Sequence, residues 1–261
     1  MSIGAGSSIL NYASLPLAQS LGHFKQEGLT VTIENFQAGG RKALQALIGG
    51  SVDAVVGFYD HTIQMQAQGK DIVGVFLLTA VPGVVFDLRA DLAGTVKEGK
   101  DLKGLKLGTT ARNPEGAQAT FGGPYPTACL YTTSAFLRTV RWMAAVPPEA
   151  IEDALPAASK VDDASLNLDI VKASKAMFSQ TGRFDAEAIK TPLAVLSSYD
   201  EKSAKAPIDL ARTYTNRFAE EAARRSKGPS RSWRRSTTTD RRCPWPNCPS
   251  GPASTSAPSS A

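Results

Sequence analysis

The first ninety residues switch between two hydrophobic periods, and the switches mark the elements. Met1 to Ala5 reads as the end of a strand that runs into the loop Gly6-Ser7-Ser8. Ser14 is placed to cap a helix with Pro16 in its first turn; Leu17, Leu21 and Phe24 share one of its faces, and Gly28 stops it. Leu29 to Ile33 alternates as a strand. Gly39-Gly40 open a short helix with Leu44, Leu47 and Ile48 inward, closed by Gly49-Gly50. Val52 to Val56 is an apolar strand, Asp60 caps a helix to Gln68, and Ile72 to Leu78 is a buried strand. Strands alternating with helices on short loops imply a parallel sheet covered on both faces. Its predicted core is Leu17, Leu21, Phe24, Val31, Ile33, Leu44, Leu47, Val55, Val56, Ile63, Val73 and Val75.

Beyond Pro82 the pattern weakens. Val84 to Leu88 reads as a strand leaving this lobe, and Leu102 to Leu107 as another strand leading into Gly108-Thr109-Thr110. No helix follows; the chain passes through the turn-rich Arg112 to Gly116 and then Gly122-Gly-Pro-Tyr-Pro126. From Thr133 to about Arg225 the pattern is mostly helical, broken near Pro147-Pro148, Pro156, Gly182 and Pro207. The division that results is a first α/β lobe at 1–85, in part returning at about 185–225, a truncated second lobe at 86–184, and a Ser/Pro-rich basic tail at 226–261. The tail has too few aliphatic residues to offset the entropy of ordering, so it is expected to be disordered.

Charge changes the picture only once it is divided. The chain of 261 residues carries +5, with 29 basic and 24 acidic side chains. Residues 224–242 contribute +7 of this, from eight basic side chains against Asp240, and the rest of the chain −2. The basic balance is therefore a property of the tail, and with no basic face evident in the body, no nucleic-acid partner is expected. Cys129 is the one cysteine of the body, so no disulfide can hold that part together. Cys243 and Cys248 supply half of a zinc site with no histidine after them, a weak metal signal. No metal or cofactor is expected.

The ordered blocks resemble a known family. Leu15 to Ile33, reading LPLAQSLGHFKQEGLTVTI, is similar to the first helix and second strand of the nitrate/sulfonate/taurine-type substrate-binding proteins of ABC transporters. Gly39-Gly40 with Ala43 to Leu47, Gly50-Ser51-Val52-Asp53-Ala54, Tyr59 to Ile63 and Gln66 to Lys70 continue the resemblance, as do Gly122 to Tyr131 and Thr213 to Phe218. It implies a type II periplasmic-binding-protein fold, in which two α/β lobes close over a small ligand and deliver it to a membrane permease. A small organic or inorganic anion is the implied ligand and a monomer the implied state. Three departures qualify the match. No charged and apolar leader precedes the first strand, so the periplasmic location implied by the family becomes a cytoplasmic expectation if the start is genuine. About two βα units of the second lobe, roughly 60 residues, are missing between Thr110 and Arg112. Phe136 to Thr139 runs directly into Val140 to Trp142 where the family has most of a helix. A degraded, nonfunctional copy is therefore the alternative to a working binding protein.

Candidate ligand contacts are Ser8, Tyr12, Gly39, Gly40, Tyr59, His61, Thr62 and Pro82. They lie on loops that follow parallel strands, where α/β proteins bind ligands and where helix N-termini favour anions. Arg41 could pair an anion or simply be solvated; Tyr59 could face the ligand or pack on the lobe. His23 reads as structural. Catalysis finds no motif: there are two histidines, no Gly-x-Ser-x-Gly elbow and no phosphate-binding loop. A thiamine-pyrimidine-synthase-like enzyme would need an iron-binding cysteine cluster that Cys129 alone cannot supply, so no enzyme is expected.

Overall fold

The computed structural model describes residues 1–6, 10–37, 40–81, 89–92, 94–106, 117–121 and 126–227. The tail from 228, the strand expected at Val84 to Leu88 and the loops at 107–116 and 122–125 lie outside the described residues. Strand β1 (Ser2–Ala5) leads through a 3-10 turn (Leu10–Tyr12) to α1 (Ser14–Ser20), α2 (His23–Gln26) and β2 (Thr32–Asn35). Then come α3 (Gly40–Ile48), β3 (Ala54–Phe58), α4 (Asp60–Gln66) and β4 (Val73–Leu77). After the gap follow β5 (Ala117–Phe121), α5 (Pro126–Ala145), α6 (Pro148–Ala154), α7 (Ala164–Ser174), α8 (Lys190–Ser197), α9 (Glu201–Lys205) and α10 (Arg217–Arg225).

One sheet organises these elements in the order β2-β1-β3-β5-β4. β1 pairs parallel with β2 and β3, and β5 runs antiparallel to both β3 and β4. The first four strands thus share one direction, as the alternation of strand and helix implies, but β3 and β4 are separated by a strand from forty residues further on. Asp53 fixes the start of the register: Ser2 N donates to its Oδ2 at 2.7 Å, and Asp53 N donates to Ser2 Oγ at 3.2 Å. The Gly-x-x-Asp block therefore fastens β3 to β1.

Alternation along β3 divides the core. Val55 points to α3 and α4, where it meets Ala43, Leu44, Leu47, Met65 and Ile72. Ala54 and Val56 point the other way, into a larger cluster with Ile3 of β1 and Leu15, Phe24, Phe136, Val140 and Phe218 from α1, α2, α5 and α10. Leu21, Val31 and Ile33 are only half-buried, and Ile48 is exposed. The edge position of β2 among the described strands explains Ile33, and Val31 just before it, since one side of the strand is left without a described neighbour. Cap positions shift as well. Ala13 precedes α1, so Ser14 is its first helical residue, fully buried, with no hydrogen-bond partner for its hydroxyl among the described residues. Tyr59 precedes α4, so Asp60 is likewise inside the helix rather than its cap.

The interval 86–184, expected to be a second lobe, does not hold together as one unit. β5 lies inside the first sheet, between β3 and β4, and α5 packs on α1, α2 and α10. Pro126, a favoured first helical residue, starts α5 seven residues earlier than the periodicity indicates. Leu102 to Leu107 is not a strand in its described part; a 3-10 turn (Gly99–Leu102) and a second one (Ala90–Leu92) are the regular structure described between β4 and β5. The second lobe is thus truncated: the strand described within this interval, β5, belongs to the first sheet.

The C-terminal helices close the remaining sides. Met143, Ile151, Leu155, Val171 and Phe178 form a satellite core against Ala13 and Leu17. Segment 177–182 runs along the outer edge of β4, with Leu77 N donating to Gly182 O and Ser179 N to Leu78 O. Gly182 is held at φ +68° over the Phe76 ring, and a Cβ there would lie 1.9 Å from that ring.

Candidate functional site

β3 delivers its last residue, Phe58, to the C-terminal edge of the sheet, and Tyr59 alone joins it to α4. This abrupt strand-to-helix turn swings the next side chains apart. His61 turns back over the sheet edge and onto the start of α3. Its ring lies so near Gly40 that a Cβ there would be 2.7 Å from Cε1, and one on Gly57 would be 3.2 Å from Nδ1. Both glycines are thus explained by ring approach, not by a turn. Phe58, half-buried, meets the edge of the His61 ring at 6.4 Å and the tilted Tyr12 ring at 5.8 Å between centroids.

Burial and neighbouring charges set the protonation states. Burial lowers the His61 pKa, the negative charge of Asp60 acts against this, and the positive charge of Arg41 lowers it further, so the imidazole is neutral at neutral pH. Tyr12 is held far above its ordinary value, first by burial and then by Asp60, so it keeps its proton and can act as a neutral donor. Asp60 is completely buried and its Oδ2 accepts from Gln64 Nε2 at 3.2 Å. The site therefore has an aromatic wall, an inner carboxylate and, at its rim, the exposed Arg41 in the first turn of α3.

The eight candidates separate accordingly. Tyr12, Gly40 and His61 are brought together at the ends of β1 and β3. Ser8, Gly39 and Pro82 lie outside the described residues. Tyr59 points into a different cluster, with its ring 5.7 Å from Phe184 and its hydroxyl bonded to Thr213 Oγ1. Because Thr213 Oγ1 donates to Leu210 O at 2.7 Å, the Tyr59 hydroxyl is the donor of that pair. Tyr59 fastens the 210–214 segment to the lobe. Thr62 donates to Tyr59 O at 2.7 Å and is spent within α4. Two site residues were not among the candidates, Phe58 and Asp60. The signal for Phe58 was its place at the C-terminal end of a buried strand, where ligands bind; Asp60 was read only as a cap.

Comparison with known proteins follows this geometry. Residues 10–120 match the family model described as NMT1/THI5 like. No curated protein matches the chain in sequence. Among solved structures, a protein from Bordetella bronchiseptica RB50 is 22% identical with a TM-score of 0.76, over 87% of this chain and 98% of that one. The periplasmic aliphatic sulphonate binding protein SsuA from Escherichia coli is 15% identical with a TM-score of 0.55, over 84% and 98%. The alkanesulfonate-binding protein SsuA from Xanthomonas axonopodis pv. citri, bound to MOPS, is 15% identical with a TM-score of 0.52, over 83% and 98%. The chain therefore has the periplasmic-binding-protein fold.

Proposed function

We propose that this chain is the solute-binding component of an ABC importer and takes a small anion, of the sulfonate class, at the C-terminal edge of its sheet. The observation that carries this is the meeting of the α3 N-terminus, the Arg41 charge and the inward-turned His61 at one point of the sheet edge. Free amides at a helix start and a nearby guanidinium favour a negative headgroup. The neutral Tyr12 phenol and the Phe58 ring form a wall suited to the apolar body of an organic anion. The sulfonate-binding proteins that share the fold support this ligand class, and they support a membrane permease as partner and the periplasm as the working compartment. Nitrate and taurine belong to the same proposal as smaller or zwitterionic members. No described helix is long and apolar enough to cross a membrane.

Catalysis is not part of this reading. Cys129, the one described cysteine, is buried in the main core with its thiol pushed up to about 12, which leaves it unsuited to nucleophilic or metal chemistry. Calorimetry with methanesulfonate, an alkanesulfonate of longer chain, taurine, nitrate and an aromatic carboxylate tests the proposal. The expected result is binding of at least one sulfonate, weakened about tenfold or more by His61→Ala, which is 1.4 kcal/mol. No heat from any member of the panel would overturn it in favour of a degraded copy.

A further inference from the structure

The two histidines of the chain are held in contrasting ways. His23 is buried against α5, with its Nδ1 engaged by Thr139 Oγ1 at 2.8 Å. His61 is pressed between the start of α3 and the end of β3, yet neither of its ring nitrogens hydrogen-bonds to another described residue. The charges around that ring come from few places. Its own helix, α4, contributes Asp60, which is completely buried and accepts from Gln64. α3 contributes Arg41, which is exposed and has no ion pair among the described residues. β3 carries no charged side chain, and the 3-10 turn brings Tyr12 to the neighbouring Phe58 ring, where the phenol keeps its proton. Two positive influences therefore reach the ring from α3, the Arg41 charge and the positive end of a nine-residue helix, and one carboxylate opposes them. With burial added, the imidazole of the free protein stays neutral.

An anion seated at this point changes that balance. Its negative charge offsets Arg41 and adds to Asp60, and both effects favour the imidazolium. We infer that the site takes its anion together with a proton, which His61 accepts from solvent, so that the imidazolium formed on binding becomes the counter-ion of the ligand at the start of α3. The coupling rests on the sheet edge being a sulfonate site, and it names what regulates that site. The proton goes to the ring nitrogen that lacks one; no bond of the ligand is made or broken. Because the bound form holds the proton more tightly than the free form, affinity rises as pH falls between the two pKa values, by up to about tenfold per pH unit. It levels off above the bound value and below the free one. His23, bonded to Thr139 and facing Arg138, takes no part.

Calorimetry of the full chain with methanesulfonate and hexanesulfonate tests this, because a sulfonate stays ionised throughout the range and leaves any titration to the protein. Cationic buffers are used, since several common buffers are themselves sulfonates. The expected result is affinity about tenfold higher at about pH 5.5 than at about pH 7.5. Heats measured in bis-Tris and in Tris, which differ in ionisation enthalpy, should report uptake of about half a proton or more per sulfonate near about pH 7. His61→Gln should abolish the uptake and flatten the pH profile, whatever its effect on affinity itself. Where circular dichroism shows that variant unfolded, proton NMR of the unaltered chain gives the same answer. Sulfonate should raise the titration midpoint of one histidine and leave the other, identified as His23 by His23→Gln, unmoved. Binding with a flat pH profile or no proton uptake would overturn the coupling and leave the sulfonate reading standing. A pH dependence that survives in His61→Gln would also overturn it, by assigning the proton to another group. Absence of binding to either sulfonate at every pH would remove the sulfonate reading and the coupling with it.

Discussion

Gly40 and His61 share one small volume, and its consequences belong to single residues. Alanine at position 40 suits the first turn of a helix, yet its Cβ would displace the His61 ring. Gly40→Ala should therefore leave thermal stability nearly unchanged while weakening sulfonate binding several-fold, which thermal melts and calorimetry on one sample will separate. His23 gives a second prediction. Thr139 Oγ1 donates to Ala135 O at 2.9 Å, so at its 2.8 Å contact with His23 it accepts, and Nδ1 carries the imidazole proton. Burial, with Arg138 adding to it, lowers the His23 pKa, and His61 is lowered too. In the unfolded chain both titrate near the ordinary value of about 6.5. The unfolded state then binds more protons below that pH, so stability is full above about 6.5 and declines as pH falls towards the depressed folded values. Urea unfolding at pH 7.5 and 5.5 should show the loss, and His23→Gln should reduce it. The chemical character of these residues was legible in the sequence, and His23 was read as structural there. What His61 touches was not, because Gly40 is separated from it by the path of the chain through α3 and β3.

Among the elements, β5 was missed and α3 was not, for contrasting reasons. The face of α3 repeats within one helix, so Leu44 and Leu47 identify it locally; Ile48, also expected inward, sits at the margin of that face and is exposed. Leu47→Ala should cost about 2–5 kcal/mol by denaturant titration. β5 is five residues between glycine-rich segments, and its stability comes from two neighbours distant in sequence, β3 and β4. Pairing on both edges should place its amides among the slowest in native-state hydrogen exchange, whereas the edge strand β2 exchanges faster. Gly182 presents the same non-local logic. Its left-handed backbone alone costs a substituted residue about 1–3 kcal/mol, and the Phe76 ring fills the space a Cβ needs. Gly182→Ala should lower the urea midpoint by more than Leu47→Ala does per atom changed, with loosening confined first to the 177–182 segment and β4.

For the molecule as a whole, the proposed site lies at the C-terminal edge of the sheet, and the residues described between β4 and β5 form no strand that could supply an opposing wall. Two-lobed binding proteins gain affinity by closing over the ligand; with one wall reduced, a micromolar site of about −8 kcal/mol would fall towards a millimolar one of about −4 kcal/mol. Small-angle scattering should accordingly show no compaction when a sulfonate is added at saturating concentration, and calorimetry should find affinity in the high-micromolar to millimolar range. Closure with binding tighter than about ten micromolar would overturn this view of the second lobe. The sequence by itself determined the alternation of the first four strands and three of the helices between them, the shared direction of those strands, the weakness of the second lobe and the segregation of basic charge towards the C-terminus. Each of these follows from periodicity or composition over a few neighbouring residues. Only the tertiary structure decided that β5 enters between β3 and β4, that α5 covers the first sheet, that Tyr59 packs against Phe184 while Asp60 is buried within α4, and that Arg141 and Arg225 lie on one face. Those outcomes depend on pairs of groups brought together over long stretches of chain, and the gain from each pairing exists only once the sheet that aligns them has formed.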